Sequence, residues 1–99
     1  MKRVIVRYKV KPGRAEENEA DVRKVYEELR RAKPAGLRYA TFRLADGVSF
    51  VHIAEHGDPN PLREIAAFKA FGAAVGARCE EPPFATEMTE VGSYHFFES

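Results

Sequence analysis

His52 and His56 are the two side chains whose chemistry the sequence places together most firmly. They stand four apart in a run, Phe50 to His56, that alternates as a strand, so both imidazoles project from one face. An imidazole titrates near neutral pH and can take or give a proton there, which is general acid–base chemistry. Metal chemistry is not supported. Four strand residues separate the two Cα atoms by about 13 Å, too far for both rings to ligate one ion. His95 could approach either ring, yet three scattered histidines without a cysteine or carboxylate at ligand spacing predict no metal site. The other reading of His52 is a buried ring satisfied by Thr41 or a neighbour beneath the helices. Tyr8, Tyr39 and Phe50 share this face if the first strand joins the sheet with matching parity. They either line an apolar pocket with a few polar tips or fill a core. Arg43 lies at the turn end of the same face, as a snorkelling surface residue or an anion contact. Asn18, one helical turn before Val22, either caps backbone groups or points into a cavity.

The element that must position the histidines is a hairpin. Asp46-Gly47 sits between two apolar-rich runs, Leu37 to Ala45 and Val48 to His56, and predicts a type I′ turn with positive φ at both residues. Counting outward pairs Ala45 with Val48, Arg43 with Phe50, Thr41 with His52, Tyr39 with Ala54 and Leu37 with His56. On the opposite face Arg38 meets Glu55, a charge-matched pair that a one-residue slip would destroy. Both faces are largely apolar, so each needs a cover: this chain's helices on one, a second copy of the chain on the other.

Residues 3–10 alternate as a strand until Pro12-Gly13. From Arg14 to Lys33 the spacing of Val22, Val25, Tyr26 and Leu29 is helical, with acids in the first turns and bases in the last, complementing the helix dipole. Pro34 and Gly36 stop it. Asn60 is an expected N-cap with Pro61 at the first helical position, opening a helical region to Cys79 in a short and a longer piece. Gly72 and Gly76 lie one turn apart there; close packing explains them, or room for a ligand does. Glu81-Pro82-Pro83 closes the region, and a last strand is expected over 85–91. The order is β-α-β-β-α-β, the split βαβ of ferredoxin-like α+β folds with an antiparallel sheet.

Ninety-nine residues make a single domain, 1–99, whose core is small unless association adds buried area. A net charge of +1 from interspersed charges leaves no footprint for nucleic acid or an anionic membrane. The one cysteine, Cys79, excludes an intrachain disulfide and suits a reducing cytoplasm, the expected location given no leader or long apolar run. At a helix end beside Glu80 and Glu81 its thiol pKa should be raised, a poor nucleophile. No phosphate-cradling glycine loop follows a strand. The aromatic tail Tyr94-His95-Phe96-Phe97 is expected to fold over a partner or over its own barrel end.

Val10-Lys11-Pro12-Gly13, Gly36-Leu37-Arg38-Tyr39 and Phe50-Val51 leading to Glu55 resemble the dimeric α/β-barrel superfamily, and within it the antibiotic-biosynthesis monooxygenase-like branch. The resemblance spans about residues 3 to 91 and implies a homodimer whose sheets pack back to back, with a small aromatic ligand between helices and sheet of each protomer. It further implies a cofactor-free oxygenase, with no cofactor, acting on an anthrone- or quinol-like substrate. His52 or His56 would be the general base, and Tyr8 and Tyr39 would orient the substrate. A non-catalytic ligand-binding or structural homodimer is the alternative. Where such proteins often carry a tryptophan after the strand-3 glutamate, this chain has His56. Haem degradation is disfavoured, because Gly72 stands near the place of that branch's histidine and Arg7 near that of its strand asparagine.

Overall fold

The computed structural model describes residues 1–96. The chain runs β1 (Lys2–Val10), α1 (Ala15–Ala32), β2 (Leu37–Arg43), β3 (Ser49–His56), a 3₁₀ turn (Pro61–Glu64), α2 (Ala66–Arg78) and β4 (Cys79–Glu87). The four strands form one antiparallel sheet in the order β2-β3-β1-β4. This is the expected ferredoxin-like β-α-β-β-α-β order.

The hairpin has the expected register. Thr41 faces His52, Arg38 faces Glu55 and Leu37 faces His56. Its turn is not type I′, because only Gly47 takes a positive φ (79°). Asp46 keeps an ordinary backbone and uses its carboxylate instead, accepting from the Val48 and Ser49 amides at 3.0 and 2.8 Å and from Ser49 Oγ at 2.6 Å. Those bonds hold its carboxyl at a pKa of about 2. The expected Ala45–Val48 pair is not in the ladder: the Val48 carbonyl accepts from the Val10 amide of β1 at 2.9 Å.

The last strand starts earlier than 85 and ends earlier than 91. Pro82-Pro83 lie inside β4 rather than before it. An edge strand tolerates prolines because one side of its backbone needs no partner. The register also slips between Arg7–Phe84 and Lys9–Glu81, so the two prolines bulge opposite Tyr8 alone.

Both helical segments begin and end for local reasons. Lys33 closes α1 in the left-handed region (φ 46°), its amide donating to the Leu29 carbonyl, and Pro34 follows. Asn60 Oδ1 accepts from the Leu62 amide at 3.0 Å and so caps the 3₁₀ turn, as expected. The first turn of α2 has no acid of its own. Glu28 of α1 supplies one across the packing interface, accepting from the Ala66 and Ala67 amides at 3.1 and 2.9 Å.

The helices cover one sheet face, where Tyr8, Val10 and Phe50 pack with Val22, Val25, Phe71 and Val75. On the outer face Glu55 is paired with Arg3 and Arg38, while Phe42, Leu44 and Phe84 stand 47%, 38% and 72% exposed. His95 and Phe96 border a shallow hollow on that face with Arg38, Phe42 and Ile53, which places the tail against its own sheet; Phe97 lies outside the described residues. Among the described residues no helix is long and apolar enough to cross a membrane.

Candidate functional site

Between the inner sheet face and α2 lies a cavity of about 300 Å³. The sheet contributes Val4, Val6, Tyr8, Tyr39, His52, Ala54 and His56; the helical side adds Asn60, Leu62, Phe68, Phe71, Gly72 and Val75, and β4 adds Pro83. No aspartate, glutamate, lysine or arginine is among them. Desolvating an ion there would cost several kcal/mol with nothing to offset it. The site therefore suits an uncharged, mostly apolar ligand at the small end of the usual pocket range.

Both histidines reach this cavity because strand alternation puts them on its face, and both are buried (5% and 8% exposed). Their environments differ. The His56 Nδ1 lies 2.7 Å from the Gly57 carbonyl oxygen, which can only accept, so Nδ1 carries the proton of the neutral ring. Nε2 is left as a lone-pair acceptor with no protein partner among the described residues. A backbone carbonyl that fixes the tautomer is the arrangement an oriented base requires.

His52 has both nitrogens engaged. Nε2 lies 2.8 Å from Tyr8 Oη, and Nδ1 lies 2.6 Å from Tyr39 Oη and 3.1 Å from Thr41 Oγ1. Burial lowers its pKa to about 4, so the ring is neutral at neutral pH but a weak base. Burial likewise pushes the Tyr8 phenol up to about 12 and raises that of Tyr39, keeping both hydroxyls protonated. The rings pack together as well as bond: His52 sits 5.3 Å from Tyr8, 5.8 Å from Tyr39 and 5.5 Å from Phe71, centroid to centroid.

The remaining candidates fall elsewhere. Phe50 does not line the cavity; it stacks on Tyr8 at 5.5 Å and holds that ring from the core side. Arg43 is at the hairpin end, donating to the Gly47 carbonyl and paired with Glu16 and Glu19 at 3.3 Å. Its anion contact is thus made within the chain. Asn18 neither caps a helix nor lines the cavity. Fully buried, it donates from Nδ2 to Tyr8 Oη at 2.8 Å and accepts on Oδ1 from Arg78 at 3.0 and 3.3 Å. Arg78 is a member of this cluster that no sequence signal marked. It is 2% exposed, paired with Asp21 at 3.0 Å, and places its guanidinium 5.8 Å from the Phe71 ring centre.

Of the two glycines, Gly72 lines the cavity, and an added Cβ would meet nothing within 4 Å. Gly76 is equally open but is not a lining residue. Cys79 has a raised thiol pKa, as expected, though the first cause is burial, which Arg78 and Lys11 partly oppose. Among the described residues no group of three histidine, cysteine or carboxylate side chains is placed to hold a metal ion.

No protein-family model matches the sequence, and a search of the curated proteins also finds no match. Solved structures do match the fold. A Nitrosomonas europaea protein assigned by name to the antibiotic biosynthesis monooxygenases superposes with a TM-score of 0.73 at 20% identity, over 91% of this chain and 89% of that one. A Caulobacter crescentus protein of the same designation gives 0.70 at 25% identity, over 92% and 90%. SnoaB, a cofactor-independent oxygenase from Streptomyces nogalater, gives 0.68 at 21% identity, over 93% and 94%. The fold is therefore the ferredoxin-like fold of antibiotic-biosynthesis-monooxygenase-type proteins, as the strand and turn motifs implied.

Proposed function

We propose that this protein is a cofactor-independent oxygenase acting, as a homodimer, on a small uncharged aromatic substrate of the anthrone or quinol kind. The observation that carries the reading is His56: an imidazole whose Nδ1 is held by the Gly57 carbonyl, lining an apolar cavity that holds no aspartate, glutamate, lysine or arginine. The fold shared with SnoaB supports the reaction class.

On this reading His56 Nε2 takes a proton from an activated CH₂ or phenol, and Tyr39, held in place by its contact with His52, holds the substrate's oxygen. The electron-rich anion reacts with dioxygen directly. For a doubly benzylic CH₂ the balance is closed without a reductant: CH₂ becomes C=O, the second oxygen atom leaves as water with both protons, and the carbon supplies all four electrons. His52 does not serve as the base here, because its pKa is depressed and both nitrogens are occupied.

The test is oxygen uptake with anthrone. Exchange of His56 for glutamine should lower the rate by about 10²-fold or more, the usual scale for loss of a general base. An unchanged rate would remove His56 from the mechanism. The second reading, a ligand-binding dimer without catalysis, draws on the fact that only one of the two histidines keeps a usable lone pair. Tight binding of anthrone without oxygen uptake would select it.

A further inference from the structure

The hydrogen bonds that lead from Arg78 to the cavity have a direction, and that direction identifies what a ligand must offer. Guanidinium groups only donate, so the Asn18 atom facing Arg78 is its oxygen, and its amide nitrogen must face Tyr8 and donate. With the Thr41 hydroxyl hydrogen directed to Tyr26 at 2.8 Å, so that Thr41 Oγ1 faces His52 as an acceptor, Tyr8, His52 and Tyr39 hold three hydrogens for the contacts Tyr8–His52 and His52–Tyr39. One hydrogen is surplus. If Tyr8 donates to Nε2, the His52 proton is on Nδ1 and the surplus hydrogen belongs to Tyr39. If the ring is turned to the other tautomer, it belongs to Tyr8.

Two observations decide between them. The His52 Nδ1 has two oxygens near it, Tyr39 at 2.6 Å and Thr41 at 3.1 Å; one N–H can be shared between two acceptors, whereas one ring lone pair serves two donors poorly. The Arg78 charge at the far end also polarises every bond in one sense, each donor strengthening the next. We propose that Arg78 and Asn18, acting as positioning residues, fix His52 as the Nδ1–H tautomer and thereby leave the Tyr39 hydroxyl as a hydrogen-bond donor into the cavity. The ligand class follows: a neutral aromatic molecule carrying a carbonyl or other acceptor oxygen, rather than a plain hydrocarbon. This deepens the oxygenase reading and rests on it only in using the same cavity as a ligand site; its test needs no turnover.

The experiment uses the intact chain. Long-range ¹⁵N–¹H correlation spectra report the His52 tautomer, and titrations with α-tetralone and tetralin report the value of the acceptor oxygen on otherwise similar two-ring ligands. In the wild type the ring should be Nδ1–H. Asn18→Asp replaces the donor facing Tyr8 by an acceptor, so Tyr8 should donate to the new carboxylate, Nε2–H to Tyr8 and Tyr39 to Nδ1. The tautomer should therefore switch to Nε2–H and the surplus hydrogen vanish. Both Asn18→Asp and Tyr39→Phe should lower the preference for tetralone over tetralin by about fivefold, the scale of one neutral hydrogen bond. Arg78→Met should leave a mixture of the two tautomers. An Nε2–H wild type, or a tautomer unmoved by the position-18 change, overturns the relay. A ketone preference that survives Tyr39→Phe overturns the donor assignment. Neither result depends on whether the protein consumes oxygen.

Discussion

His52 is the residue on which burial has its most measurable consequence. Its pKa is about 4 in the folded chain against 6.5 for the ordinary side chain, so between these values the unfolded chain binds more protons than the folded one. The stabilisation this implies is fully present above about pH 6.5 and is lost as the pH falls toward 4, up to about 3 kcal/mol in all. Urea unfolding from pH 7 to 4 should show that loss, and His52→Gln should flatten the profile across this window. An equally steep profile in the variant would place the proton uptake elsewhere. The period-2 pattern and the hairpin register made His52, His56 and Tyr39 legible as one face, while Tyr8 joins it through the parity with which β1 pairs β3, which alternation does not decide. It could not reveal Asn18 and Arg78. Their contact joins α1 to the end of α2, sixty residues apart, and no local spacing encodes such a pairing.

Among the elements, α2 shows how a segment can depend on its neighbour. It lacks an acid in its first turn and borrows Glu28 from α1 to satisfy two amides. The Ala67 and Ala66 amides lower the Glu28 pKa below its ordinary value. A carboxyl depressed on folding stabilises the fold above its unfolded pKa, and that contribution disappears as acid titrates it through the folded value. Glu28→Gln should lower the melting temperature at pH 7 and lose less on acidification than the wild type; a pH-independent difference would argue against the cap. The same helix carries Gly72, where an added side chain has open space and an ordinary helical backbone. Gly72→Leu should therefore preserve or raise stability, since glycine costs a helix interior about 1 kcal/mol, while filling the cavity and reducing anthrone binding by about tenfold or more. Binding at wild-type strength would mean that the ligand sits elsewhere. Two glycines one turn apart were readable as a sign of either packing or space; which of them faced the cavity depended on the tilt of α2, which the sequence does not state.

At the scale of the whole molecule the outstanding demand is the outer sheet face. The hairpin register and the element order along the chain were accessible because turn position and alternation are local, whereas β4 was misplaced because its prolines are tolerated only on an edge, and edge position is a property of the assembled sheet. Phe42, Leu44 and Phe84 spread across β2, its turn and β4 of that outer face, with half-buried Ile5, Val51 and Ile53 between. Exposed apolar surface of this kind marks an association site, although exposed Arg7 stands between Val51 and Phe84, and the buried Glu55 with Arg3 and Arg38 adds a polar centre to it. A second copy placed face to face by two-fold symmetry would cover like with like, as isologous interfaces do. Sedimentation analysis should then give twice the 11.2 kDa chain mass. Phe42→Asp combined with Phe84→Asp should return the monomer, because each copy would bury two unpaired carboxylates and so four per dimer, each costing several kcal/mol. The cavity lies on the opposite face, so the monomeric variant should still bind anthrone if it remains folded by circular dichroism. A wild-type chain that sediments as a monomer at micromolar concentration would leave the exposed aromatics for another partner and withdraw the homodimer from the proposal.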